Sequence, residues 1–255
     1  MAELLPDERV DAINESLSLI QKKNGLMFGT DAYLLAAYMK SAPCLRAAEL
    51  GAGTGVVSLL TLARNKADTV YAVEAQPDFA SLTRRNGELN GMENRMIPLC
   101  ADVRALTEHD LGGRVDAVLS NPPYMRADSG KENAVSGKNI ARREVLGGIS
   151  DFCACASRLL KYGGTFYTVY RPERLTDLFA ALRANNLEPK KLTFVHSTAE
   201  KEPSMILVAS RLGGKPGLTV TRPLLIYRSE ADRQYTDDLN HIYQTCSFEG
   251  LEGFS

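Results

Sequence analysis

Apolar runs of strand length alternate with helical segments from Ala47 onward, and this alternation constrains the fold more than any other feature of the chain. Parallel strands need long crossover connections, which helices usually provide. The pattern therefore predicts a Rossmann-like α/β fold with a mostly parallel sheet and helices on both faces. The last two runs are joined by a short polar segment and can form a hairpin, which places one antiparallel strand in that sheet. The predicted strands are AAEL, TVYAVEA, RMIPLCAD, VDAVLSN, TFYTVY, PKKLTFVHS and SMILVASRL, and the predicted helices are VVSLLTLARN, PDFASLTRRNGEL, DFCACASRLLKYGG (stopped by Gly163-Gly164) and PERLTDLFAALRANN.

The segments on either side of this pattern are shorter and less regular. We divide the chain into an N-terminal extension over 1–45, a central α/β domain over 46–225 and a C-terminal tail over 226–255. In the extension, Asn24-Gly25 lies between two apolar runs and favours a tight hairpin turn, because both residues tolerate positive φ. Thr30 or Asp31 can then cap a helix over AYLLAAYM.

In the final segment of the chain, GKPGLTVTRPLLIYRSEADRQYTDDLNHIYQTC, two further elements are expected. The run PLLIYR can add an edge strand to the sheet, and Tyr235–Tyr243 can form a short helix. No function is assigned to either.

Composition and charge exclude several classes of protein. The hydrophobic fraction of 44% allows a sizeable core, and the net charge of −1 gives no overall attraction to nucleic acid or membranes. No apolar run approaches the ~18 residues of a membrane span, and the acidic N-terminus does not resemble a signal peptide. The odd number of cysteines without a Cys-x-x-Cys pair, and the scattered histidines, indicate free thiols and no metal site. We therefore expect a soluble, cytoplasmic protein.

A glycine loop follows the first strand of the central domain. Gly51, Gly53 and Gly55 open the next helix, and Glu49 lies just before them. Glycine allows the backbone to turn sharply and to approach a ligand closely. The spacing is Gly-x-Gly-x-Gly, which differs from the dinucleotide fingerprint Gly-x-Gly-x-x-Gly.

Acidic residues end the next two strands. Glu74 lies about 20 residues after the loop, where a carboxylate can hold both hydroxyls of a ribose. Asp102 ends the third strand, where it can accept a hydrogen bond from an adenine amino group. Together with the glycine loop, their order along the chain indicates a nucleoside site at the carboxyl edge of the sheet.

Asn121, Pro122, Pro123 and Tyr124 come directly after the fourth strand. An asparagine amide oxygen and a proline carbonyl are both hydrogen-bond acceptors, and two prolines restrict the freedom of the loop. Such a pair can hold a planar NH2 group while the tyrosine ring stacks on the group that carries it.

The glycine loop, the two acidic strand ends and the Asn-Pro-Pro-Tyr motif, in this order, resemble the class I S-adenosylmethionine-dependent methyltransferases. The resemblance implies that the glycine loop lies against the methionine part of the cofactor. Glu49 belongs to the same cofactor-binding set, Glu74 would bind the ribose and Asp102 the adenine. It also implies an N-methyltransferase in which Asn121 and Pro122 orient an amino nitrogen for in-line attack, with Asn121 also beside the cofactor and no metal required.

Two substrates fit such a motif, namely adenine N6 in nucleic acid and the glutamine side chain of release factors. The segment NGLMFGTDAYLLAAYM, with ARREVL and YRPERL, resembles the bacterial valine-tRNA adenine-N6 methyltransferase family. This resemblance implies a tRNA anticodon-loop adenine as target and implies that Phe28, Gly29, Thr30 and Asp31 close over the cofactor. The alternatives are a glutamine methyltransferase, for which we expect a separate N-terminal helical domain that these 45 residues do not provide, and a catalytically silent RNA-binding relative.

Basic residues follow the Asn-Pro-Pro-Tyr motif. Relatives are expected to have Ala-Arg-His-Glu where this chain has Ala-Arg-Arg-Glu, so Arg143 adds a cation in place of a titratable group. Arg126, Lys138, Arg142 and Arg143 are the candidates for contact with RNA phosphates. A solvated loop explains the same composition.

Overall fold

The computed structural model describes residues 4–23, 28–42, 44–122 and 147–254. Its strands are β1 Glu8–Ala12, β2 Ser18–Lys22, β3 Arg46–Leu50, β4 Thr69–Glu74, β5 Met96–Cys100, β6 Val115–Ser120, β7 Leu160–Tyr170, β8 Leu187–His196, β9 Pro203–Leu212, β10 Thr219–Val220 and β11 Leu224–Leu225. Its α-helices are α1 Thr30–Tyr38, α2 Val56–Ala63, α3 Pro77–Leu89, α4 Ile149–Leu159, α5 Leu175–Ala184 and α6 Asp237–Thr245.

The predicted sheet is confirmed. In the described part of the chain, nine strands form one sheet in the order β10-β8-β9-β7-β6-β3-β4-β5, and β11 also pairs with β8. The strand β9 runs antiparallel to both β7 and β8, whereas the other pairs are parallel. The expected β8–β9 hairpin therefore supplies the antiparallel strand.

Strand order reverses between β3 and β6. Chain connections run outward from β3 through β4 to β5 on one side, and from β6 to β7 on the other. Leu50 and Ser120 end these two strands as register partners, and the Ser120 hydroxyl donates to the Leu50 carbonyl at 2.8 Å. Ligands of such sheets bind at this reversal point, beyond the carboxyl ends of the strands. The glycine loop and Asn121 therefore both start there.

Two apolar layers cover the sheet, because successive strand residues point to opposite faces. Ala47 packs in a cluster with residues of α1, α2 and α6, while Ala48 and Leu50 pack in a second cluster with residues of α4 and α5. Leu34 and Leu35 of α1 are fully buried in the first cluster. The extension, the central domain and the tail all contribute to that cluster, and the division into three segments stays a prediction.

The N-terminal hairpin is confirmed, although its strands lie earlier than the expected turn. The strand β2 pairs antiparallel with β1, and the Asn14 side chain accepts from the Ser16 and Leu17 amides at 2.9 and 3.0 Å in the connection between them. The segment over 24–27, with the predicted Asn24-Gly25 turn, lies outside the described residues. A hairpin in the extension is therefore confirmed, and the turn at Asn24-Gly25 stays a prediction.

Asn86 of α3 and Asn90, directly after that helix, attach the hairpin to the rest of the molecule. Asn86 accepts from the Ile20 amide at 2.6 Å and donates to the Ile20 carbonyl at 3.0 Å, and Asn90 makes the same pair of bonds with Ser18. Each asparagine side chain therefore bonds to both the amide and the carbonyl of one β2 residue, as a neighbouring strand would. The Asn86 amide also donates to the Thr54 carbonyl in the glycine loop at 2.9 Å.

A buried lysine holds the end of α1. The Lys66 ammonium donates to the carbonyls of Ala36, Ala37 and Met39 at 2.5 to 2.8 Å. These carbonyls lie in or next to the last turn of the helix, where backbone acceptors lack intrahelical partners. Burial lowers the pKa of Lys66 to about 8, against the smaller opposing effects of the nearby Cys246 and Glu249.

The expected helix stop at Gly163-Gly164 is wrong. The helix α4 ends at Leu159, and β7 begins at the next residue. The register between β6 and β7 shifts after the Val115–Leu160 pair and resumes at Ala117–Thr165, so the glycines lie in a bulge of the strand. Gly163 has φ of 79° there, which suits a bulge as well as a helix end.

Both elements expected in the final segment of the chain are present. The strand β11 extends the sheet edge at β8, and α6 covers Asp237–Thr245, two residues later than predicted at each end. Among the described residues, none of the helices combines the length and apolar character needed to cross a membrane.

Candidate active site at the carboxyl edge of the sheet

The glycine loop is held closely against β4. The amides of Gly51 and Ala52 both donate to the Val73 carbonyl at 2.9 Å. Gly55 has φ of 81°, a conformation that strains any other residue, and a Cβ there would lie 2.2 Å from the Met96 methyl group and 3.1 Å from the Thr83 methyl group. Gly53 has φ of 56°, but a Cβ there would meet nothing within 4 Å. The loop is therefore packed at its helix end and open at Gly53, where a ligand can approach the backbone.

Glu74 orients the open part of this loop. Its side chain is buried, and its two oxygens accept from the Gly53 amide at 3.0 Å and the Gln76 amide at 2.9 Å. A carboxylate fixed in this way presents lone pairs in defined directions, as recognition of a ribose diol requires.

Asp102 lies beside Glu74, since the Ala101 amide donates to the Glu74 carbonyl at 3.1 Å. The carboxylate is bound by the Arg104 guanidinium, with Nε 3.0 Å from both oxygens, and by the Arg104 amide at 2.8 Å. This hydrogen-bonded cation lowers the pKa of Asp102, which keeps the carboxylate ionised. An adenine amino group at this position would share the carboxylate with Arg104.

Glu49 points away from the open edge, toward the start of α2. It is 3% exposed, and its Oε2 accepts from the Ser58 amide at 2.9 Å and the Ser58 hydroxyl at 2.5 Å. Burial and, to a smaller extent, the nearby Glu74 raise the pKa of Glu49 to about 8, against the opposite effect of these bonds. The side chain connects the end of β3 to α2 below the loop.

Asn121 and Asp31 are in direct contact. The Asn121 Nδ2 donates to the Asp31 Oδ2 at 2.7 Å, across 90 positions of sequence. The Asp31 Oδ1 accepts from the Ala32 amide at 3.0 Å, so the first turn of α1 holds the carboxylate. Pro122 is buried directly after Asn121. The predicted amino-group clamp and the segment predicted to close over the cofactor therefore meet at one point.

The three residues before Asp31 have different contacts. Phe28 is half-buried and packs against the first apolar cluster. Gly29 is the N-cap of α1, and a Cβ there would lie 2.8 Å from the Asp31 Oδ1. The Thr30 hydroxyl lies 3.1 Å from the Tyr243 hydroxyl of α6, which joins the tail to the site.

Several predicted residues lie outside the described part of the chain. They are Pro123 and Tyr124 of the motif and the basic candidates Arg126, Lys138, Arg142 and Arg143. Their roles stay predictions. Within the described residues, no group of three or more metal-ligating side chains is present.

Sequence reasoning missed three partners of the site. Arg104 follows Asp102 by two positions, a spacing that could have suggested an ion pair. Ser58 could have been identified as the partner of Glu49 only once the loop geometry was known. Tyr243 reaches Thr30 across 213 positions, and no local pattern indicates that contact.

The open loop at Gly53, the fixed Glu74 carboxylate and the ionised Asp102 carboxylate fit a nucleoside cofactor by their donor and acceptor chemistry. A model of the methyltransferase small domain matches residues 24–182. A relative named tRNA1(Val) (adenine(37)-N6)-methyltransferase, from Cronobacter sakazakii, is 31% identical over 201 residues, which cover 78% of this chain and 79% of the relative.

A second relative with the same name, from Phocaeicola vulgatus, is 28% identical over 224 residues, 84% of either chain. The crystal structure of a predicted O-methyltransferase from Agrobacterium tumefaciens has a TM-score of 0.69 at 24% identity, covering 85% of this chain and 97% of that one, and it shows the shared fold. This chain therefore belongs to the methyltransferase small-domain family and is a class I S-adenosylmethionine-dependent methyltransferase.

Proposed function

We propose that this methyltransferase acts on an exocyclic amino group, the N6 of an adenine in the anticodon loop of a valine tRNA. The observation that carries the proposal is the position of Asn121 and Pro122 at the end of β6, paired with the strand that leads into the glycine loop. Relatives that cover more than three quarters of the chain are named for this reaction.

The bound cofactor supplies a methyl group on a positively charged sulfur. The Asn121 amide oxygen and the Pro122 carbonyl are acceptors that can hold the two amino hydrogens of the substrate. They thereby direct the nitrogen lone pair and stabilise the positive charge that develops on nitrogen. Glu74 and Asp102 hold the ribose and adenine of the cofactor, and the segment from Phe28 to Thr30 closes over it, while Asp31 contacts Asn121. Tyr124 stacks on the target base, while Arg126, Lys138, Arg142 and Arg143 bind RNA phosphates.

Methyl transfer from labelled cofactor tests the substrate. The acceptors are tRNA from cells that lack the modification, ribosomal RNA and a release factor. We expect incorporation into tRNA, at an adenine of the anticodon loop. Transfer into release factor alone would favour the glutamine methyltransferase, and cofactor binding without transfer to any acceptor would favour a silent relative.

Replacement of Asn121 tests the clamp itself. Asn121→Ala should lower kcat about 100-fold or more, because it removes one preorganised acceptor from the transition state. The Kd for S-adenosylmethionine, measured by calorimetry, should change by less than about threefold. The reason is that the Asn121 oxygen acts on the amino nitrogen of the substrate, which is absent when the cofactor binds alone. Unchanged turnover would refute the role of Asn121.

A further inference from the structure

The Asp31–Asn121 contact fixes more than the position of the asparagine. A carboxylate only accepts hydrogen bonds, whereas an asparagine amide donates at one end and accepts at the other. The 2.7 Å contact therefore requires the Asn121 NH2 to face Asp31. If the amide were turned over, its oxygen and a carboxylate oxygen would lie at that same short distance and repel each other.

The carboxylate is itself restrained, as a positioning role demands. Its Oδ1 is bound by the Ala32 amide, and Gly29 packs so closely that an added Cβ would lie 2.8 Å from the same oxygen. The start of α1 also favours a negative charge, because the helix dipole is positive there. Asp31 thus has a fixed place from which to orient its partner.

We infer that Asp31 is a positioning residue that sets the hydrogen-bond polarity of Asn121. With the NH2 end of the amide committed to Asp31, the opposite end is a carbonyl oxygen, an acceptor. The site therefore selects a substrate group that donates, such as an amino group, and rejects a carbonyl in the same place. The inference rests on the proposed function for its substrate, and it deepens that proposal by explaining the choice of amino group.

The inference differs from a cofactor-closing role for Asp31, and kinetics separate the two. Asp31→Ala should lower kcat at saturating cofactor about 10- to 100-fold, the range for losing a hydrogen bond to a charged group. Its Kd for S-adenosylmethionine should stay within about threefold of wild type. The kcat of Asp31→Asn should lie between those of Asp31→Ala and wild type, because the new amide can donate or accept a hydrogen bond. Asp68→Ala, at an exposed aspartate before β4, is the matched control and should behave as wild type.

The decisive measurement is how much more tightly the enzyme binds RNA with an amino group at the target base than RNA with a carbonyl there. Two anticodon stem-loops of valine tRNA are compared, one with adenosine and one with inosine at the target, where inosine has a carbonyl in place of the amino group. Wild type should bind the inosine RNA about 10-fold more weakly or worse, since two acceptors then face each other. In Asp31→Ala the Asn121 side-chain amide can rotate so that its NH2 faces the substrate. The difference in affinity between the two RNAs should then fall to about threefold or less.

A measurement without RNA separates failure of this inference from failure of the proposed function. The side-chain NH2 resonances of Asn121, assigned by their loss in Asn121→Asp, should exchange slowly with water in wild type and rapidly in Asp31→Ala. The inference is supported if Asp31→Ala loses the slow exchange of the Asn121 NH2 and also shows a smaller difference in affinity between the adenosine and inosine RNAs. Wild type that methylates no RNA would overturn the proposed substrate, and the exchange data would still decide the Asp31–Asn121 pair.

Three results would overturn the inference. The first is unchanged protection of the Asn121 amide in Asp31→Ala. The second is an equal loss of affinity for both RNAs, which a general structural defect produces. The third is a weaker Kd for cofactor with kcat unchanged, which would assign Asp31 to cofactor binding alone.

Discussion

Replacement of Glu49 by glutamine should make the stability of this protein less sensitive to pH. In the folded protein the pKa of Glu49 is raised from its ordinary value of 4.5 to about 8, mainly by burial. Between these two values the unfolded chain has released this proton and the folded protein retains it. The free energy of unfolding therefore falls with rising pH in this window, and the dependence disappears above pH 8 because both states are then ionised.

The magnitude follows from the width of the window. Each pH unit between the two pKa values costs the folded state about 1.4 kcal/mol, or ~5 kcal/mol over the whole range. From pH 6 to pH 9 the contribution of Glu49 is roughly 2–3 kcal/mol. Glutamine can accept the same bonds from the Ser58 amide and hydroxyl without a charge, so this contribution should vanish in Glu49→Gln.

Urea unfolding at several pH values between 6 and 9 measures the effect. We compare the free energies of unfolding of Glu49→Gln and wild type at each pH, because the contributions of the other titrating groups cancel in the difference. Glu49→Gln should gain stability relative to wild type by roughly 2–3 kcal/mol between pH 6 and pH 9. Glu93→Gln, at an exposed position in the turn after α3, is the matched control and should follow wild type. Parallel curves for Glu49→Gln and wild type would refute the argument that burial keeps Glu49 protonated.

Three further substitutions test the cofactor site and the supports of α1. Asp102→Ala should weaken S-adenosylmethionine binding about tenfold in calorimetry, as loss of a hydrogen bond to a charged group implies, and an unchanged Kd would remove Asp102 from the cofactor site. Lys66→Met should lower the free energy of unfolding by about 2–4 kcal/mol, because three buried carbonyls lose their donor, and equal stability in urea would contradict this. Tyr243→Phe should cost about 1 kcal/mol in the same assay through loss of the hydrogen bond to Thr30, and a larger loss would indicate that the ring has moved.

The sequence predicted best those elements whose signals are local. The helix Pro77–Leu89 has the predicted bounds, because Pro77 suits a first helical turn and Asn90-Gly91 suits a helix end. The signal at Gly163-Gly164 failed because glycine serves a strand bulge as readily as a helix end.

In the site, the order of the motifs along the chain correctly placed the glycine loop, Glu74, Asp102 and Asn121 at the carboxyl ends of successive strands. The partners of these residues could not be predicted. The Asp31–Asn121 bond depends on how α1 packs across the end of β6, and packing of that kind is decided by the whole apolar cluster rather than by residues near either partner.

The amide of Asn86 has a consequence for how the molecule opens. One side chain bonds both to β2 of the hairpin and to the Thr54 carbonyl of the glycine loop. When the hairpin detaches from α3, Asn86 loses the two Ile20 bonds that hold its amide in the orientation needed to donate to the Thr54 carbonyl, so fraying at the N-terminus weakens the support of the glycine loop. Bound cofactor, by stabilising the loop, should therefore slow amide exchange in β2 of the hairpin through Asn86.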